Sequence, residues 1–151
     1  MSGKCFCCFM IKSCAALGLG AVLALGAWAA DTEKVVYSFT GGNDGGDPAA
    51  QLIFDGAGNA YGTTVVGGLY GCGTVFELTP LSGGNWQQSV LYNFTCFDDG
   101  KNPYGGVTFD RSGNLYGTTV AGGSGGACAG DGCGVVYKLT PSGGGWTQTV
   151  L

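Results

Sequence analysis

Two glycine-rich loops, GGNDGGDP at 41–48 and CFDDGKNP at 96–103, hold the densest acidity of this 151-residue chain. They align so that Asp44 corresponds to Asp99 and Asp47 to Asn102, with Asp98 one residue before Asp99. Carboxylate and amide oxygens on flexible loops are the ligand type of hard cations, so weak Ca²⁺ binding is the first chemistry these residues offer. The second is general acid–base catalysis on a glycan, with Asp98 paired to Asp44 or Asp99, although nothing in the sequence sets the carboxylate separation that reaction needs. The third is plain turn chemistry, which Asp-Gly and Asn-Pro favour in their own right, and the loops read best this way.

The remaining polar candidates are aromatic or cysteine. Tyr61 and Tyr116 stand at equivalent places after a D-x-x-G-N string, and Trp86 and Trp146 at equivalent strand entries. The tyrosines offer the lining of a channel that binds a sugar or peptide and the tryptophans a surface for stacking on a sugar, against the plainer reading of strand packing for both pairs. Asp55 and Asp110 open the D-x-x-G-N strings, where an aspartate normally accepts backbone N–H bonds and a glycine supplies the positive φ. There is no histidine, which excludes Ser-His-Asp and Cys-His catalysis and any His-ligated metal.

The elements that must position these residues come in two copies. FDGAGNAYGTTVVGG (54–68) recurs as FDRSGNLYGTTVAGG (109–123), and VVYSFT, GCGTVFELTP and WQQSVL recur as VLYNFT, GCGVVYKLTP and WTQTVL. The period is 55 residues early in the unit and about 60 later, most of the difference being the insertion SGGACAGDG at 124–132. Within each copy apolar residues alternate with period two, as half-buried strands require. Four strands per unit are expected, at 35–40, 50–55, 60–66 and 73–79, then 88–95, 105–110, 115–121 and 134–140. Gly62 and Gly117 inside strands point to close backbone approach. Four short antiparallel strands per repeat is the arithmetic of a β-propeller blade, and two such units make an incomplete propeller. The chain stops at TQTVL, where the pattern calls for a third unit, so further repeats or self-association through an exposed blade face are expected.

Residues 1–30 differ from the rest: Lys4 and Lys12 precede an uncharged apolar stretch ending at Ala27-Trp28-Ala29. This is the pattern of a helical signal peptide, short for a membrane span; an uncleaved anchor is the alternative, and no other membrane association is expected. Without it, four cationic residues face ten acidic ones, a net charge of −6, which leaves no footprint for nucleic acid. Four cysteines remain, in an oxidising compartment where disulfides are favoured over a four-cysteine zinc site. A hairpin turn centred near Gly84 puts Cys72 opposite Cys96; Cys133, the equivalent of Cys72, finds Cys128 in the insertion. The expected pairs are therefore Cys72–Cys96 and Cys128–Cys133.

Taken in order, GNLYGTTxxGG, GTVFELTP and W-x-x-x-VLY-x-F resemble the GloVer tandem repeat of secreted bacterial proteins, over nearly all of 35–151. The D-x-x-G-N-x-Y core is also similar to the hairpin turn of NHL-type propeller repeats. The resemblance implies a propeller-forming repeat and supplies no activity. The expectation is an all-β chain of a signal peptide (1–30) and two blades (31–89 and 90–151), secreted to the periplasm, cell surface or medium. It would serve as a binding or surface-structural scaffold, with a glycan or cell-surface component as partner and no cofactor beyond weak Ca²⁺. The alternative is a fragment of a secreted carbohydrate-active enzyme using the loop carboxylates.

Overall fold

The computed structural model describes residues 33–124, 128 and 130–151; the expected signal helix at 1–30 lies outside the described residues. The described residues form eight strands: β1 Ile53–Phe54, β2 Ala60–Thr64, β3 Thr74–Pro80, β4 Trp86–Asn93, β5 Thr108–Phe109, β6 Leu115–Thr118, β7 Val136–Ser142 and β8 Gly145–Val150. They make two four-stranded antiparallel meanders, sheet I in the order β1-β2-β3-β4 and sheet II in the order β5-β6-β7-β8. Among the described residues there is no α-helix and no closed ring of sheets.

The turns are those the sequence specifies. Asp55 and Asn59 close the β1–β2 hairpin (Asp55 N–H to Asn59 O, 3.0 Å) and Asp110 and Asn114 close its counterpart at the same distance. Gly58 and Gly113 take φ of 88° and 81° there, a region a side chain rarely enters.

The first strand of each unit departs from expectation. Residues 35–40 form no strand, and the segment expected at 88–95 pairs as β4 with β3 of sheet I. A strand needs a neighbour for its N–H and C=O groups, and the short turn at 81–85 delivers one to 86–93, whereas the described chain offers none to 35–40. The sheets and the sequence repeat are therefore out of phase: β4 runs across the junction of residues 89 and 90. The edge strands β1 and β5, expected at 50–55 and 105–110, are two residues each.

Residues 35–151 pack as one unit. Along β2 and β3, Tyr61, Thr63 and Val75 face sheet II, while Ala60, Gly62, Phe76 and Leu78 face the other way. Tyr61 and Val75 share a buried cluster with Phe94, Val107, Leu115, Tyr137 and Leu139 of the second half. Ala60, Phe76 and Leu78 are covered by Tyr37, Phe39 and Trp86. Phe39 meets Phe76 edge-on at 4.9 Å, and Phe94 meets Tyr137 in the same way at 5.1 Å. The Y-x-F segment before each acidic loop is thus the lid of the sheet that follows it.

Candidate functional site

The acidic loops follow those lids, and each carboxylate is held by its own lid. Asp44 accepts hydrogen bonds from the Tyr37 hydroxyl (3.0 Å), the Thr40 backbone N–H (2.9 Å) and the Thr40 hydroxyl. Asp99 accepts from the Tyr92 hydroxyl (2.8 Å), the Thr95 N–H (2.9 Å) and the Thr95 hydroxyl. The backbone carbonyls of both aspartates accept from a glutamine on the outer strand, Gln88 on β4 (3.1 Å) and Gln148 on β8 (3.2 Å). One aspartate therefore fastens lid, loop and outer strand together, twice over. The signal for this in the sequence is the recurrence of Tyr, Thr and Asp at offsets of three and four residues.

Electrostatics follow from those bonds. The Thr40 hydroxyl and amide and the Tyr37 hydroxyl hold the Asp44 carboxyl below the usual carboxylate range, against a smaller opposing effect of burial. Burial acts on Asp55, but the side chain and N–H of Asn59, the Ala57 N–H and the Tyr61 hydroxyl outweigh it and lower its pKa. Asp110, bonded in the same pattern by Asn114, Ser112 and Tyr116, is brought down to about 2. Such groups are ionised acceptors at neutral pH, and a general acid requires the opposite shift.

Asp47 and Asn102 take the same left-handed backbone conformation (φ 54° and 53°) and then diverge. Asn102 crosses between the sheets: its N–H donates to Cys72 O (2.9 Å) and its Nδ2 to Val65 O (2.9 Å). The Asp47 and Asp98 side chains are exposed. Among the described residues no three Asp, Glu or Cys side chains converge as a metal-binding group.

The aromatic candidates are built into the packing. Tyr61 is 7 % exposed, its hydroxyl donating to Glu77 Oε1 (2.8 Å) and Asp55 (3.1 Å); burial and these two carboxylates push its pKa up. Tyr116 is half-buried, with Lys138 Nζ 5.7 Å above its ring and Asp110 bonding its hydroxyl. Trp86 and Trp146 lie opposite Pro80 and Pro141 and pack against the two buried clusters.

Both disulfides form as expected, Cys72–Cys96 with Cα atoms 5.4 Å apart and Cys128–Cys133 with 5.3 Å. The hairpin register differs by one residue from the one that suggested the first pair: Leu78 opposes Gln88, centring the turn at residue 83. A bulge between Val75 and Phe76 takes up half of the mismatch, and the positive φ of Cys96 (76°) turns the chain beyond the ladder. Lys101 reaches across to Asp131 of the insertion (2.7 Å).

The model of the Gloeobacter/Verrucomicrobia repeat matches residues 13–151, nearly the whole chain. No curated protein and no solved structure gives a significant match.

Proposed function

The chain belongs to the Gloeobacter/Verrucomicrobia repeat family, and from that premise we propose that it is an exported, propeller-like repeat scaffold with a binding or surface-structural role. The observation that carries this reading is the use made of the loop carboxylates. Asp44 and Asp99 are spent, in the same pattern in both units, on fastening lids to sheets. In the alternative pairing of Asp98 with Asp44 or Asp99, the exposed Asp98 is left with a partner already filled by the donors of its lid, which argues for the scaffold role. Export is supported by the signal-like first thirty residues and by two disulfides, which persist in oxidising compartments. Among the described residues no helix is long and apolar enough to cross a membrane.

A glycan array and a hydrolysis assay on the same purified protein test the role. Retention of glycan without turnover supports the scaffold, and release of product overturns it. N-terminal sequencing of the exported protein tests the compartment. A start near Ala30 or Asp31 is expected, and a retained Met1 removes the signal-peptide reading.

A further inference from the structure

Equivalent residues of the two sheets are buried very unequally. Val75 is 0 % exposed and its counterpart Val136 51 %; Val65 is 4 % exposed and Val120 55 %. The cause is the stacking order. Sheet II covers the face of sheet I that carries Tyr61, Thr63 and Val75, and among the described residues nothing covers the same face of sheet II. That face, with Tyr116, Thr118 and Val136, lines an open cleft beside Ile53.

The opposite end of the unit shows the complementary imbalance. Val107 is 5 % exposed and its counterpart Leu52 39 %; Phe109 is half-buried and its counterpart Phe54 is 61 % exposed. In the internal seam Phe109 stands edge-on to Tyr61 at 4.9 Å, and the Thr63 hydroxyl donates to Gly105 O at 3.0 Å. The described residues therefore hold one complete sheet-on-sheet seam and the two separate halves of another of the same kind.

We propose that a second copy of this chain completes that seam head to tail. Phe54 and Leu52 of one copy seat on Tyr116 and Val136 of the next, as Phe109 and Val107 seat on Tyr61 and Val75 within the chain. The contact is heterologous, so it propagates until it closes, and radial arrays of roughly four to eight sheets correspond to rings of about two to four copies. The inference rests on the repeat-scaffold reading, but a monomer would overturn it without touching the outcome of the glycan assays.

The seam between copies differs from the internal one in its polar groups: Lys138 stands where Glu77 does and Gln51 where Gly106 does, and one hydrogen bond across the seam is lost. Asn102 donates its Nδ2 to Val65 O across the internal seam. Its counterpart Asp47 presents a carboxylate, which has no proton to give to the equivalent carbonyl of Val120. The copy-to-copy seam is therefore the weaker and more readily reversible of the two.

Light scattering coupled to size exclusion, on the exported full chain across a concentration series, tests the proposal. The wild type is expected to give a discrete small oligomer. Val136→Asp and Phe54→Asp each place a charge on an exposed surface position of one half-seam, so each is expected to be monomeric with the wild-type circular dichroism spectrum. Mixed, the two variants retain one intact half each and are expected to recover a 1:1 dimer. Asp47→Asn is expected to lower the dissociation constant about fivefold, the effect of roughly one added hydrogen bond. A wild-type monomer at every concentration overturns the proposal. So does an oligomer that survives Phe54→Asp, which would mean a symmetric contact of two Val136 faces, and so does an Asp47→Asn variant that associates no more tightly.

Discussion

The hydroxyl of Tyr137 occupies the space that a Cβ on Gly117 would need, and among the described residues it has no hydrogen-bond partner although the side chain is fully buried. The counterpart in sheet I is Phe76, whose Cζ would lie 2.7 Å from a Cβ on Gly62. Both glycines therefore exist to admit an aromatic ring flat against the strand, and only one of the rings carries a polar atom. A buried hydroxyl without a partner costs about 1–3 kcal/mol of desolvation. Tyr137→Phe is accordingly expected to raise stability by about 1 kcal/mol in urea denaturation. Gly117→Ala is expected to lower it by about 1–3 kcal/mol, because the ring cannot retreat within a packed cluster. A Tyr137→Phe variant less stable than wild type would show that the hydroxyl is bonded.

The two disulfides close loops of very different length, with sequence separations of 24 and 5. Chain-entropy reasoning assigns about 3 kcal/mol to the first and about 2 kcal/mol to the second. Cys72→Ser with Cys96→Ser is expected to lower the global unfolding midpoint, since this bond joins the entry to β3 with the exit from β4. Cys128→Ser with Cys133→Ser is expected to cost less and to raise amide exchange only around the insertion. Equal losses in the two double variants would contradict this division.

The turns and faces of this fold were readable because their determinants are local. A D-x-x-G-N string makes the same hairpin wherever it stands, and the alternation of Tyr61, Thr63 and Val65 fixes which residues share a face. The phase of the sheets was not readable in that way. The alternation in 90–95 is identical whether the strand pairs with β3 before it or opens a new sheet after it, and the turn at 81–85 decides the matter. The role of Asp44 and Asp99 as anchors of the lids was hidden for a related reason. An aspartate in a glycine-rich loop reads equally as cation ligand or hydrogen-bond acceptor, and the donors that occupy it come from four and seven residues upstream, on a segment that folds back as a lid.

That occupancy predicts how the loops respond to calcium. A cation binding at Asp44 or Asp99 has to displace donors from Thr and Tyr that already fill the carboxylate, and no third carboxylate converges among the described residues to repay the loss. Millimolar Ca²⁺ is expected to leave the melting temperature unchanged. Asp99→Ala is expected to lower stability by about 1–3 kcal/mol through the lost charge-assisted bonds, with or without the metal. A rise in melting temperature with Ca²⁺ that Asp99→Ala abolishes would return the loop to metal binding.

The same bonds set the response to acid. Asp110 titrates at about 2 when folded, chiefly through the Asn114 side chain, and Asp44, Asp55 and Asp131 are also lowered, the last by its contact with Lys101. A carboxyl with a folded pKa below its unfolded value of about 4 contributes stability that is complete above pH 4 and is lost as pH falls through the folded pKa. The melting temperature is therefore expected to hold from pH 7 to about 4 and to fall between about 4 and 2. Asp110→Asn, which cannot titrate, is expected to start lower at neutral pH and to fall less steeply in that window. A wild-type melting temperature that is flat down to pH 2 would mean that these hydrogen bonds persist in the unfolded chain or add nothing to the folded one.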